Sequence, residues 1–227
     1  MKLLNKYCFS GVFVAFFNFN GNVLAAERLY VSASYTEAKT SDINILELET
    51  TRTYDPAASL LLVNTDRKSS SYNAGIGDST GSSISFGYDN VGSSRMELEL
   101  GFNEYEVESV SGGTILSAGD SLESKSLAFN YWYDVGEFLG VNPYVGFGLG
   151  GAEYSMEGER SSSFEMMLGA GLSYKFTRRL VVDFSARYKK SSEYEFVFES
   201  DDGTVIKELN LEQDKVMLML GIRYNFF

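Results

Sequence analysis

The chain has no histidine, a single cysteine and only two prolines. Beyond its first two dozen residues it also lacks any run of about 18 consecutive apolar side chains, the length a membrane-spanning helix requires. Each shortage excludes something. Without histidine, general-base catalysis near neutral pH loses its usual side chain. With one cysteine, Cys8, no disulfide forms within the chain. Without a long apolar run, any passage through a bilayer must be made by strands closed into a barrel, because only a closed sheet satisfies its backbone hydrogen bonds in hydrocarbon.

What is present begins with an export leader. Lys2 and Lys6 give a positive start, Cys8 to Phe17 is mostly apolar, and Val23-Leu24-Ala25 is a small-residue exit. Cleavage is expected after Ala25 or Ala26, which makes residues 1–26 the leader and 27–227 one domain. A buried N-terminal helix is the competing reading, but Asn18, Asn20 and Asn22 interrupt the apolar run. Cys8 leaves with the leader, and no lipoprotein box precedes it. Taking the two leader lysines from the 19 basic residues leaves 17 against 31 acidic ones, a formal charge of −14. Nucleic acid is therefore not expected as a partner, since binding it requires basic charge to neutralise phosphates.

The 22 glycines, 15 tyrosines and 17 phenylalanines are arranged with period two. A barrel strand alternates an apolar lipid face with a small or polar interior face. Eight segments do so. Arg28 to Thr36 sets Leu29, Val31, Ala33 and Tyr35 against Tyr30, Ser32 and Ser34; Ser83 to Tyr88 sets Ile84, Phe86 and Tyr88 against Ser85 and Gly87. Arg95 to Val107 and Ser126 to Tyr133 follow, the first with Met96, Leu98, Leu100 and Phe102 outward and Arg95, Glu97 and Glu99 inward, the second with Trp132 inward. Pro143 to Tyr154, Phe164 to Phe176, Leu180 to Lys190 and Val216 to Phe226 complete the set. The inward glycines Gly146, Gly148, Gly150, Gly169 and Gly171 are expected to leave space along one wall.

Connections alternate short and long, as they do when short turns face the periplasm and long loops face outside. Turns near 89–94, 134–142 and 177–179 are short, whereas 37–82, 108–125, 155–163 and 191–214 are longer and polar. Ile43 to Leu48 and Leu60 to Val63 look strand-like inside the first long stretch. They extend the barrel above the membrane or add a hairpin that makes ten strands. Tyr194 to Glu199 and Thr204 to Leu209 flank Asp201-Asp202-Gly203 and predict a protruding hairpin. The expected fold is all-β, a closed antiparallel transmembrane barrel of eight strands, with ten as the alternative.

An eight-stranded interior is just wide enough for side chains to fill. Glu97, Glu99, Glu165 and Asp183 are expected to face Arg95, Lys175, Arg187 and Arg223 there and to pair, because an unpaired buried charge is costly. The network is either a plug or a narrow ion path. Acidic loop residues such as Glu106, Glu108, Asp120, Glu157 and Glu159 show no calcium-loop spacing. No catalytic residue, metal or cofactor is expected.

Three segments resemble the small outer-membrane barrels of the OmpA-like and OmpX-like family: Pro143-Tyr144-Val145-Gly146-Phe147-Gly148-Leu149-Gly150, the hairpin from Gly169 to Tyr188, and Leu220-Gly221-Ile222-Arg223-Tyr224-Asn225-Phe226-Phe227. The resemblance implies the cell outer membrane of a Gram-negative bacterium, with lipid and lipopolysaccharide as surroundings. It implies that Gly221, Tyr224 and Phe226 form the assembly signal read by the barrel-insertion machinery. Met219 and Phe227 depart from that signal's usual form. No further domain is expected after the last strand, so any OmpA-like role falls to the barrel alone. Barrel enzymes that this family's neighbours include, such as lipid A deacylases, palmitoyl transferases, phospholipases and omptin-like proteases, rely on histidine, so a non-enzymatic protein is expected. Its role would be structural or adhesion-like, with a host or cell-surface ligand reached through the external loops. A small porin or hydrophobic-solute channel is the alternative, and a soluble periplasmic carrier a third.

Overall fold

The computed structural model describes residues 29–226 apart from 42, 56–60, 91–92, 113–115 and 201–203. The predicted leader, with Ala25 and Ala26, lies outside the described residues. Twelve strands and no helix make up the described part: β1 Leu29–Thr40, β2 Ile43–Asp55, β3 Leu61–Ile76, β4 Ser79–Asn90, β5 Ser94–Val110, β6 Ser121–Asp134, β7 Val141–Met156, β8 Glu159–Lys175, β9 Leu180–Ser191, β10 Tyr194–Glu199, β11 Val205–Leu211 and β12 Asp214–Asn225.

Eight of them close a ring. Antiparallel pairing runs β5–β4–β1–β12–β9–β8–β7–β6 and returns through β6 to β5. These are the eight strands that the alternation predicts, each longer than expected at its outer end, and the ten-strand alternative is not realised. Every ladder within the ring keeps an unbroken register. The register is held because a slip of one residue would turn a whole apolar row inward.

The four remaining strands continue the wall beyond that ring. β2 prolongs β1, β3 leads into β4, β10 prolongs β9 and β11 leads into β12, each across a break of two or so residues. Above the break β2 pairs with β3 and β11 and β11 with β10, while among the described residues β3 meets β5 only over Ala74 to Ile76 and β10 makes no ladder with β8. The hairpin predicted to protrude at Tyr194 to Leu209 is thus built into a second storey, which we call the dome.

The wall's chemistry changes between the storeys. Below the break, outward side chains are apolar and exposed, among them Ile84, Phe86, Leu98, Leu100, Phe147, Leu168, Phe184, Leu218, Leu220 and Ile222. The inward set contains Arg95, Glu97, Glu99, Asn130, Arg187 and Lys189, all buried. Above it the polarity reverses while the period is kept. On β5, Phe102 faces out, but two residues on Glu104, Glu106 and Glu108 face out and Tyr105 and Val107 point in. β6 does the same with Leu122 inside between Ser121 and Glu123, and β7 with Ala152, Tyr154 and Met156 inside. Together with Ile43, Ile45, Tyr72, Tyr194, Phe196, Leu209 and Leu211 these residues form one hydrophobic core within the dome. A surface that is greasy outside below and wet outside above fits a membrane protein whose strands rise past the lipid headgroups.

Candidate functional site

The interior of the lower storey is filled from end to end by alternating charges. Nearest the periplasmic turns, Arg95 reaches Asp134 (3.5 Å) and Asp183 (3.7 Å), and Arg223 Nε donates to Asp183 at 3.1 Å. Ser173 Oγ donates to Asp183 at 2.7 Å, and the Tyr144 ring lies 4.5 Å from the Arg95 guanidinium. One level up, Glu97 accepts from Trp132 Nε1 (2.8 Å), Asn130 Nδ2 (3.1 Å) and the Tyr30 hydroxyl (3.1 Å). Arg187 Nη1 donates to Glu99 at 2.6 Å while its plane covers the Trp132 ring at 4.8 Å. At the top, Lys189 stands between Glu99 (4.0 Å) and Glu165 (3.6 Å). Lys215 then donates to Glu165 and to the Tyr105 hydroxyl, both at 2.9 Å.

Charge balance explains how so many ions stay buried. Arg95, Arg187, Lys189, Lys215 and Arg223 oppose Glu97, Glu99, Glu165, Asp134 and Asp183, so no member lacks an opposite within 4.0 Å. Low dielectric makes each pairing strong and each unpaired member expensive. The arrangement is a strut: it ties together strands opposite one another across the ring, such as β5 to β9 through Glu99 and Arg187.

Seven of the eight predicted network residues fall in this ladder, and one does not. Lys175 is exposed and pairs with Glu137 of the periplasmic turn at 3.2 Å. Its strand reaches the barrel mouth two residues after Ser173, so an inward position there meets water instead of the interior. Sequence reasoning left out Lys189, although its inward parity was plain, and Lys215, which stands one residue before the strand start it assumed. Asp134, Tyr30, Tyr105 and Tyr154 were also missed as members; the signal available was parity alone.

Four of the five inward glycines, Gly146, Gly148, Gly169 and Gly171, lie against neighbouring side chains. A Cβ at Gly146 would fall on the Trp132 ring, one at Gly171 on the Tyr144 ring 2.5 Å away, and one at Gly148 on Asn130. These positions are small because those side chains lean across them, whereas Gly150 meets only Ala128 and the Leu127 carbonyl. Trp132 and Tyr144 meet edge to face at 5.2 Å, with Met167 beside them. A cavity of about 30 Å³ remains between Arg95, Glu97, Arg187 and Arg223, room for on the order of one or two waters.

In the dome, Tyr154 and Tyr194 stack at 4.3 Å and Phe196 packs edge-on against Tyr194. Burial holds the Tyr194 phenol well above its ordinary range, and burial with Glu47 nearby does the same for Tyr72. At the other end of the molecule Tyr224 and Phe226 face outward and meet edge to face at 5.8 Å, on the strand where Gly221 turns inward against Ser34. They belong to the periplasmic aromatic fringe, with Tyr133, Tyr174 and Phe176.

A closed ring of eight antiparallel strands with an apolar outward belt and a lumen filled by side chains defines an outer-membrane β-barrel protein, resident in the outer membrane of a Gram-negative cell. The chain belongs to the surface antigen family, whose profile matches residues 19–226. Among solved structures it is similar to Neisserial surface protein A, at 19% identity over 87% of this chain and 97% of that one, with a TM-score of 0.53. It is also similar to the outer membrane protein OprG of Pseudomonas aeruginosa, at 11% identity over 87% of this chain and 95% of that one, with a TM-score of 0.60. At these identities the likeness is one of fold. No curated protein matches the chain.

Proposed function

We propose that the protein is a non-enzymatic surface-interaction barrel, in which the lower storey is a membrane anchor and the dome presents a binding surface to other cells. The observation that carries this is the sealed interior: a charge ladder packed with aromatic rings, capped by the hydrophobic core of the dome. A barrel built to conduct would spend its inward positions on water-lined space, and here four of the five inward glycines are covered by neighbouring side chains. Chemistry points the same way, since the chain contains no histidine to serve as a base. The small-porin reading gains no support from the packing around Gly146 and Gly171.

The surroundings follow from the same reading. Export is directed by residues 1–26 with cleavage after Ala25 or Ala26, insertion by the assembly machinery acting on Gly221, Tyr224 and Phe226, and the belt contacts lipid and lipopolysaccharide. Two measurements test the proposal. Planar-bilayer recording of the refolded protein is expected to show no steady conductance steps, and regular steps would overturn the plug. Bacteria displaying the protein should adsorb to at least one host or bacterial cell surface more than bacteria lacking it; equal adsorption across a panel would overturn the surface role.

A further inference from the structure

The dome is not closed all the way round. β3 is paired with β2 from Leu61 to Ala74, with one register shift beside Thr53, but meets β5 only at Ala74 to Ile76. The direction of its backbone groups can be worked out from the contacts at either end. Asn73 turns its carbonyl away from β2, where it accepts from Ser111 N at 3.0 Å. Arg52, the β2 partner of Thr65, sends its own N–H away from β3 to Thr204 at 2.7 Å. Asn73 and Thr65 therefore form non-hydrogen-bonded pairs with β2, and so do the residues of the same parity between them. The N–H and C=O groups of Arg67, Ser69 and Ser71 consequently point to the open side, and residues 64–71 are all exposed. Among the described residues no strand pairs with that stretch of edge.

This edge also carries a charge unlike its surroundings. On its outward face the edge carries Arg67, with Arg52 beside Thr65 on the adjacent strand, whereas the outward rows of β5 and β6 present Glu104, Glu106, Glu108 and Glu123; its inward face holds Asp66 and Lys68, with Glu49 opposite Lys68. Edge lysines are a common guard against unwanted pairing. Here the guard discriminates: it opposes basic strands and attracts acidic ones, at one place on a molecule whose net charge is −12 over the whole sequence.

We infer that the outer edge of β3, from Thr65 to Ser71, is a docking site for an extended acidic segment of a partner protein, which adds to the sheet as an antiparallel or parallel strand. Backbone groups of Arg67, Ser69 and Ser71 supply the ladder, and Arg67, with Arg52 behind it, selects carboxylates on the outward face of the arriving strand. The span is about 20 Å at the usual rise per residue, enough for a segment of about seven residues. The inference rests on the surface-interaction reading and names the chemistry of its partner.

Geometry offers a sharp test. Ser69→Pro removes a backbone N–H that points to the open side and leaves the β2 ladder intact, because Ser69 and Leu48 form a non-hydrogen-bonded pair. The probe is a fluorescein-labelled peptide of about ten residues alternating threonine and glutamate, a strand-compatible length, with a threonine–lysine peptide as counterpart; anisotropy is read on the refolded full chain in detergent. Saturable binding of the glutamate peptide, little binding of the lysine peptide, and weakening of ~10-fold in Ser69→Pro are expected from loss of one ladder hydrogen bond. The double variant Arg52→Glu, Arg67→Glu should weaken it at least as much and does not depend on how proline is tolerated. Failure of the wild type to bind the glutamate peptide, or equal binding by the wild type and both variants, would overturn the edge. In the cell-adsorption assay, adhesion that both variants leave unchanged would reject the edge while leaving the surface role standing.

Discussion

Removing the Arg187 side chain is the perturbation that weighs most on this account. Arg187 donates to Glu99 at 2.6 Å, lies 3.8 Å from Glu97, and covers the Trp132 ring, with its side chain 8% exposed and that of Glu99 3%. Arg187→Met keeps the apolar volume but leaves Glu99 with only Asn130 and a Lys189 ammonium 4.0 Å away. Breaking a buried pair from one side costs about 3–5 kcal/mol, because the remaining charge is stranded. Loss of the guanidinium over the indole adds about 1 kcal/mol. Replacing both members, Arg187→Met with Glu99→Leu, removes the charge stranded at Glu99, while Glu97 loses its ion partner at 3.8 Å and keeps the neutral donors Trp132, Asn130 and Tyr30; the double variant should recover about 1–2 kcal/mol of the loss, since apolar substitutes for buried ion pairs are often close to neutral. Trp132 is the only tryptophan and touches the perturbed site, so urea unfolding in lipid vesicles followed by its fluorescence reads the change where it occurs. A single variant within 1 kcal/mol of the wild type, or a double variant as unstable as the sum of the two singles, would refute the strut.

Four further outcomes follow from the packing. Gly171→Ala should destabilise the barrel by about 1–3 kcal/mol, because the new Cβ meets both the Phe184 carbonyl and the Tyr144 ring; Gly140→Ala, in an open turn, tests strain without overpacking. Phe196→Ala should cost the dome about 3–5 kcal/mol and speed protease cleavage on whole cells, while heat-modifiable gel migration of the lower barrel persists. Glu195 has its carboxyl pushed up by burial and by Glu208 and Glu193. A raised carboxyl favours its protonated form in the fold, so the dome should grow more stable as pH falls through the usual glutamate range, and Glu195→Gln should flatten that slope in protease-resistance measurements. Lys175→Met, at the exposed periplasmic mouth, should leave unfolding within about 0.5 kcal/mol of the wild type.

The fold was legible because lipid enforces a strict contrast. Wherever a strand faces acyl chains, as at Leu98, Leu100, Leu218 and Leu220, every second residue must be apolar, and all eight such rows can be found in the chain. The strands' outer ends were not, since water there asks for the opposite pattern. On β5 the step from Phe102 to Tyr105 moves the apolar row from the even to the odd positions without any change of strand. Read for apolar content alone, that inversion looks like the end of a strand; read as a switch of solvent, it marks the height of the membrane surface. The ladder was legible by parity, which placed Arg95, Glu97, Glu99, Glu165, Asp183, Arg187 and Arg223 inside. Parity carries no height, which is why Lys175 was included though it reaches water, and Lys215 omitted though it is 1% exposed. The role of the inward glycines was not legible either: smallness permits a void or a neighbour's ring, and only the positions of Trp132 and Tyr144 decide between them.

Nitroxide labels placed singly at positions 96 to 102 of β5, in protein refolded into bilayers, address the claim on which all of this stands. Collision rates with oxygen, which concentrates among acyl chains, should rise at Met96, Leu98, Leu100 and Phe102 and fall at Glu97, Glu99 and Gly101. Rates that are uniform along the strand, or high collision with a water-soluble reagent at Leu98 and Leu100, would contradict a barrel whose even row faces lipid.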